Sequence, residues 1–152
     1  ATDQAYYDAL SSNMNSPYTF CQDNSLNRMI DSRSPDYILR KIREDYISGT
    51  SCTVVLCGIE TPWRKYVDWE IEATLQKQHA LLGIKLPTLA VINDGCSKPA
   101  RLQDNIFSGY AHWVWWEDIV SNANALDAAV IEARSRSKSL IRNDRERRLR
   151  NG

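Results

Sequence analysis

The residues that could carry chemistry are concentrated in one short segment, from Arg64 to Glu72. It holds two aromatic, three acidic and two basic side chains. If the segment is helical, Glu70 lies beside the apolar stripe, and Tyr66 and Thr74 share its face. A carboxylate placed there would be partly desolvated and next to an aromatic ring, which favours a perturbed acidity and a functional role. The alternative is an ordinary salt-bridged glutamate on a surface helix.

A second aromatic group, formed by Trp113, Trp115 and Trp116, could stack against a nucleotide base or a nicotinamide ring. On an extended strand Trp113 and Trp115 share one face, and Trp116 takes the other. The alternative is that the three rings fill the core and the edge of a sheet. The sequence leaves both interpretations open.

Several other classes of active site are absent from the sequence. The six glycines form neither a G-x-G-x-x-G nor a Walker pattern, and the G-x-S-x-G pattern of serine hydrolases is missing. His79 and His112 have no cysteine partners at metal-binding spacing, so we expect no metal site. A phosphate-accepting receiver domain would place an aspartate at the end of its central strand, where this chain has Leu56, Cys57 and Gly58.

The elements that would position these residues alternate between capped helices and apolar strands. Helices are predicted near 2–14, 35–48, 63–78 and from about 122, and strands near 18–21, 52–57, 80–86 and 112–116. Residues 87–111 are predicted to form a loop. The middle strands are apolar on both faces, which is typical of a parallel sheet covered on both sides. We therefore predict an α/β, flavodoxin-like three-layer sandwich with a mainly parallel sheet.

The predicted order opens on a helix, which is unusual for an α/β chain. It suggests that the first strand of the sheet lies upstream of Ala1. In a 2-1-3-4-5 strand order, that strand would occupy a slot between 18–21 and 52–57. Without it, both neighbours would leave backbone donors and acceptors unpaired.

Charge is unevenly distributed although the formal net charge is +0. Residues 1–133 carry 11 basic and 17 acidic side chains, a balance of −6, whereas residues 134–152 carry 8 and 2, a balance of +6. No aromatics interleave with the arginines of the basic end, so we interpret it as solvated and expect no nucleic-acid partner.

We divide the chain into a domain over 1–140 and a basic tail over 141–152. Residues 143–152 contain one apolar side chain, Leu149, so we expect their deletion to leave the melting temperature nearly unchanged. No apolar run reaches the roughly 18 residues of a membrane helix, and no secretory signal is visible. We therefore expect a cytoplasmic protein without a membrane partner. Cys52 and Cys57 should face opposite sides of one strand as reduced thiols.

A series of motifs in this order resembles the TIR-like domain of bacterial Thoeris antiphage-defence systems. It consists of a helix over 37–47, the strand S-C-T-V-V-L-C-G at 51–58, Glu60-Thr61, the segment K-Y-V-D-W-E-I at 65–71, and Gly83-Ile84. The resemblance covers residues 1–86 well and the rest more loosely. It implies the same flavodoxin-like fold.

The resemblance also implies roles for individual residues. Glu70 matches the glutamate with which catalytic TIR domains cleave NAD, and Tyr66 stands where the family commonly has a tryptophan. Asp3 matches an aspartate that follows the family's first strand, and Asp23 opens the loop that matches the family's mobile loop. We expect the substrate to contact Asp3, Asp23, Trp63, Tyr66 and Trp69.

The reaction implied by the resemblance is cleavage of NAD at the nicotinamide–ribose bond, which yields free or cyclised ADP-ribose as a signal. NAD would be the substrate, and no cofactor is expected. The transition state resembles an oxocarbenium ion, and neutral nicotinamide leaves without a general acid, so one carboxylate could suffice. Expected partners are other TIR-like subunits or a nucleotide-sensing effector. The alternative is a non-catalytic TIR-like module that binds other proteins, and the sequence does not decide whether the chain is an enzyme.

Overall fold

Four parallel strands form the central sheet of this computed structural model. The residues that the structure describes are 5, 6, 8, 18–21, 51–58, 61–89, 91–92, 95–96, 98–120 and 123–151. The sheet order is β1 (Tyr18–Cys21), β2 (Cys52–Cys57), β3 (Ala80–Lys85) and β6 (His112–Trp115). Two short strands, β4 (Val91–Ile92) and β5 (Gly95–Cys96), form a separate antiparallel pair.

Helices cover both faces of this sheet. Their bounds are α1 Lys65–Gln76, α2 Ala100–Phe107, α3 Trp116–Val120 and α4 Ala123–Arg134. Short 3-10 helical turns occupy Thr61–Trp63 and Lys138–Leu140. None of the helices in the described part of the chain has the length and apolar character required to cross a bilayer.

The side chains of β2 alternate between two cores, one on each side of the sheet. Cys52, Val54 and Leu56 pack with α3 and α4, whereas Val55 and Cys57 pack with α1 and α2. Burial raises the pKa of the Cys52 thiol to about 12. The predictions of a three-layer α/β sandwich, of a mainly parallel sheet and of two cysteines facing opposite sides are confirmed.

The prediction of a strand between 18–21 and 52–57 is wrong. β1 pairs directly and in parallel with β2, with Tyr18 opposite Cys52 and Cys21 opposite Val55. The backbone groups on that side of β2 are therefore paired with β1, and no unfilled slot separates the two strands. The predicted helix at 35–48, together with Asp3 and Asp23, lies outside the described residues.

Two further predictions need correction. Residues 87–111 are not all loop, because α2 follows Pro99 and buries Leu102 completely. The strand predicted over 112–116 ends at Trp115, and Trp116 begins α3 instead. Trp116 nevertheless packs in the core opposite to that of Trp113, and its ring meets Tyr6 edge-on at 4.9 Å.

Gly83 allows the sheet and α2 to approach each other closely. A Cβ atom at this position would lie 2.6 Å from Trp113 Cε3 and 3.1 Å from Leu102 Cδ2. Because real Cβ atoms do not approach ring carbons so closely, only glycine fits here without displacement of the indole. Trp113 therefore lies directly over β3.

Candidate functional site

The turn that follows β2 brings α1 to the carboxyl edge of the sheet. The Thr61 hydroxyl accepts a hydrogen bond from the Gly58 backbone N–H at 2.8 Å and donates one to the Leu56 carbonyl at 3.2 Å. This side chain therefore closes the turn at the end of the strand, where a buried backbone needs partners. The 3-10 turn follows at once, and α1 begins at Lys65.

Glu70 is buried on α1, with 4% of its surface exposed. Its backbone carbonyl is hydrogen-bonded to the Thr74 hydroxyl at 2.8 Å, and that hydroxyl is also bonded to the Thr53 hydroxyl of β2 at 2.8 Å. These contacts fix the Glu70 turn of the helix against the sheet. Glu70 is thus more deeply buried than the partly desolvated position that the sequence predicts.

Three of the aromatic residues predicted to contact a substrate gather at the start of α1. Tyr66 and Trp69 are buried and meet edge-on, with ring centroids 5.2 Å apart. The Lys65 ammonium lies 5.1 Å from the Tyr66 ring and 5.7 Å from the Trp69 ring. Trp63 is half exposed beside them. The structure therefore brings Trp63, Tyr66 and Trp69 together at the carboxyl edge of the sheet.

The opposite face of α1 holds a buried ion pair with α2. Arg101 Nε and Nη2 donate to the two Asp68 carboxylate oxygens at 2.9 and 3.3 Å, and Arg101 is completely buried. Asp68 and Glu70 are two positions apart, or about 200° around the helix. Because Asp68 faces α2, Glu70 faces away from it, towards the β1 side of the sheet.

The basic tail packs in the groove between α1 and α2. Asn143 accepts a hydrogen bond from Arg101 at 2.9 Å and donates to the Glu72 carbonyl at 3.2 Å. Arg147 pairs with the Glu72 carboxylate at 3.4 Å. Arg145 donates to Asp104 at 2.8 Å, and this hydrogen bond lowers the pKa of the Asp104 carboxyl.

The end of the tail reaches the start of α1. The Arg148 backbone N–H donates to Asp68 at 2.8 Å, and its carbonyl accepts the indole N–H of Trp69 at 2.6 Å. The Arg148 guanidinium also lies 5.9 Å from the Trp63 ring. Asn151 Oδ1 accepts the backbone N–H of Lys65 at 2.9 Å, in the manner of a helix cap. These contacts contradict the interpretation of the basic end as solvated.

The aromatic cluster of Trp63, Tyr66 and Trp69 therefore meets two different parts of the molecule. Tyr66 shares the face of Glu70, whereas Trp69 and Trp63 contact the tail. The sequence did not identify the Asp68–Arg101 pair, since Arg101 falls in a segment predicted as loop. Lys85 was also overlooked, although a lysine at the end of an apolar run was a visible signal. Within the described ranges, no three His, Cys, Asp or Glu side chains gather as metal ligands would.

The comparisons with known proteins give one match. The model of the family described as Thoeris protein ThsB, TIR-like domain, matches residues 1–90, which is more than half of the chain. No curated protein and no solved structure matches it. The chain therefore belongs to the family of TIR-like domains of the Thoeris protein ThsB, whose role is in antiphage defence signalling.

Proposed function

We propose that this domain cleaves NAD at the nicotinamide–ribose bond and that Glu70 is the catalytic carboxylate. The observation that carries the proposal is the position of Glu70, buried on the helix that directly follows the carboxyl end of β2. Ligands of open α/β sheets bind at that edge. Membership in the Thoeris family supports a nucleotide signal, either free or cyclised ADP-ribose, as the product.

In this reaction the protein has to supply a negative charge and hold the ribose in position. Nicotinamide leaves as a neutral molecule, and positive charge develops on the ribose in an oxocarbenium-like transition state. The Glu70 carboxylate would stabilise that charge and hold the ribose hydroxyls, and its burial strengthens the interaction because water screens it less. Tyr66, on the same face, would exclude water beside the ribose. NAD acts here as substrate, and no separate cofactor takes part.

The test compares two glutamates of the same helix. Glu70→Gln should lower nicotinamide release from NAD by about a hundredfold or more, because a preorganised electrostatic contact is lost. Glu72→Gln is the matched control: Glu72 is also buried but lies on the tail-facing side with Arg147, so its rate should stay near wild type. Circular dichroism melts of both variants check that each is folded. Equal rates for wild type and Glu70→Gln would remove Glu70 from the mechanism.

The second candidate is a TIR-like module that assembles with other proteins without turnover. Tyr66 favours it, because this position commonly carries tryptophan in the family that the sequence resembles. Under either function we propose that the partners are other TIR-like subunits or a nucleotide-sensing effector, and that the protein acts in the cytoplasm. A wild-type protein that releases no nicotinamide, alone or with such partners, would favour the assembly module.

A further inference from the structure

The carboxyl ends of β3 and β6 bring a lysine and a tryptophan together. Lys85 and Trp115 are the last residues of these strands and face each other in the register. The Lys85 ammonium lies 4.5 Å from the centroid of the Trp115 ring. Both side chains are on the α1 and α2 side of the sheet, since Trp113, two residues before Trp115, packs in that core.

Lys85 is the feature that points to a ligand. Only 6% of its surface is exposed, and among the residues that the structure describes it has no carboxylate and no hydrogen-bond acceptor as partner. The indole face is its one contact of electrostatic character in that set. A cation–π contact with one ring stabilises a buried ammonium less than an ion pair with an anion would. The free energy of the cation–π contact is smaller than the free-energy cost of desolvating the charge. An anionic group bound at this edge would complete the site.

Trp115 adds a surface on which a flat ring could stack. With 48% of its surface exposed, it is one of the largest apolar groups that the described residues present to solvent. Trp113 lies about 7 Å along the same strand face, and the Lys98 ammonium lies 4.8 Å from its ring. Lys85 and Trp115 thus place a cation and a half-exposed indole at the sheet edge where α/β proteins bind ligands. Aromatic stacking next to a phosphate-binding cation is how proteins hold nucleotides.

We propose that Lys85 and Trp115 form a site for a nucleotide, with the base stacked on Trp115 and a phosphate paired with Lys85.

This site is separate from the one that contains Glu70. Lys85 and Trp115 lie at the β3–β6 side of the sheet, which α2 covers, whereas Glu70 points away from α2. The proposal therefore does not depend on NAD cleavage. A nucleotide bound here would be a regulator or a product recognised at a second position of the domain.

The experiment is equilibrium dialysis with labelled ADP, which has no nicotinamide bond to cleave. Wild type should bind ADP saturably. Lys85→Met should lower the affinity for ADP about tenfold or more and leave the affinity for adenosine unchanged, because the substitution removes only the partner of the phosphate. Trp115→Ser should lower the affinity for both ADP and adenosine. Inorganic phosphate should compete with ADP for binding but not with adenosine. Since Trp115 is half exposed, that variant should fold even if Lys85→Met does not.

The matched controls are Lys77→Met, an exposed lysine beyond α1, and Phe107→Ser, an exposed ring at the far end of α2. Both should bind ADP as wild type does, and so should Glu70→Gln. Absence of saturable ADP binding at millimolar concentration would overturn the proposal, as would unchanged affinity in Trp115→Ser. Loss of ADP binding in Glu70→Gln would show that only one site exists and would likewise overturn it.

Discussion

Asp68 and Arg101 form the most deeply buried of the ion pairs among the described residues. Replacing Arg101 with methionine would leave the Asp68 carboxylate buried and uncompensated by a charge. We expect Arg101→Met to lower the free energy of unfolding by about 3–5 kcal/mol, and the double variant with Asp68→Leu to recover most of that loss. Urea titration measures both changes. The exposed pair of Arg145 and Asp104 is the control, since Arg145→Met should cost about 1 kcal/mol or less.

If the double variant were as unstable as Arg101→Met alone, the ion pair would not be the cause. Two other hydrogen bonds would then be the candidates: that from Arg101 to Asn143, which both variants lose, and that from the Arg148 N–H to Asp68, which the double variant loses. Asn143→Ala would reproduce the destabilisation only in the first case.

The surroundings of two histidines predict a stability that depends on pH. Burial lowers the pKa of His79 from 6.5, with Lys138 and Lys77 adding to the effect. Burial and then Arg136, whose Nη2 lies 3.2 Å from His112 Nδ1, lower the pKa of His112, while Glu132 opposes them. The unfolded chain therefore binds more protons just below pH 6.5, and the folded state should lose stability as the pH falls through that range.

The urea midpoint should accordingly be lower at about pH 5.5 than at about pH 7.5. The His79→Gln and His112→Gln double variant should show a flatter profile over the same interval. The carboxyls of Asp104 and Glu132, whose pKa values are lowered from 3.8 and 4.5, act at more acidic pH and do not interfere. A wild-type midpoint that rises on acidification would contradict the assignment.

At the scale of elements, the contact between β3 and α2 depends on the missing side chain of Gly83. Gly83→Ala would force the Trp113 indole and Leu102 to move. We expect a loss of about 1–3 kcal/mol from overpacking, measured by urea titration. In a Trp113→Val background the same substitution should cost much less, because the ring that meets the new Cβ is gone. An equal cost in both backgrounds would assign the effect to β3 itself.

Prediction from sequence succeeded for elements whose signal is local. β2 and β3 are continuous apolar runs, and α1 follows a proline-containing turn and carries Val67, Ile71 and Leu75 on one side. α2 was not predicted, because it spans only eight residues and buries a charged residue, Arg101, whose partner is on another helix. The direct pairing of β1 with β2 was not predicted either, because the side-chain pattern of a strand does not indicate which strand lies next to it in the sheet.

The same distinction applies to the candidate site. The position of Glu70 on a helix after a strand could be predicted from spacing. Its depth of burial could not, because burial depends on what packs over the helix. To predict the contact of Lys85 with Trp115, one must know the strand order and the register of the sheet. Neither can be inferred from the sequence of β3 or of β6 alone.

For the whole molecule, the tail is part of the folded domain. Deleting residues 143–152 removes the contacts to Asp68, Glu72, Trp69 and Lys65. At about 1 kcal/mol for each net hydrogen bond, these four contacts amount to roughly 4 kcal/mol, or about 8–16 °C in melting temperature for a chain of this size. Differential scanning calorimetry measures it. Leu149→Ser, at a residue 64% exposed, should leave the melting temperature unchanged.

An unchanged melting temperature after the deletion would restore the expectation drawn from the sequence, that the tail is dispensable. That expectation counted apolar side chains, and the tail has almost none. The contacts of the tail are polar, and several involve its backbone. For example, the Arg142 backbone N–H donates to the side chain of buried Asn105, and the Arg142 carbonyl accepts a hydrogen bond from the same side chain. Such contacts follow no hydrophobic periodicity.

The hydrogen bond from Lys65 N–H to Asn151 joins residues 86 positions apart. Ribosomes add about 5–20 residues per second, so α1 is made roughly 4–17 s before the residue that caps it. During synthesis the indole of Trp69 and the carboxylate of Asp68 lack the Arg148 backbone that later covers them. Until residues 148–151 have been made, the nascent domain therefore presents a different surface at the start of α1, and this end of the groove between α1 and α2 is uncovered.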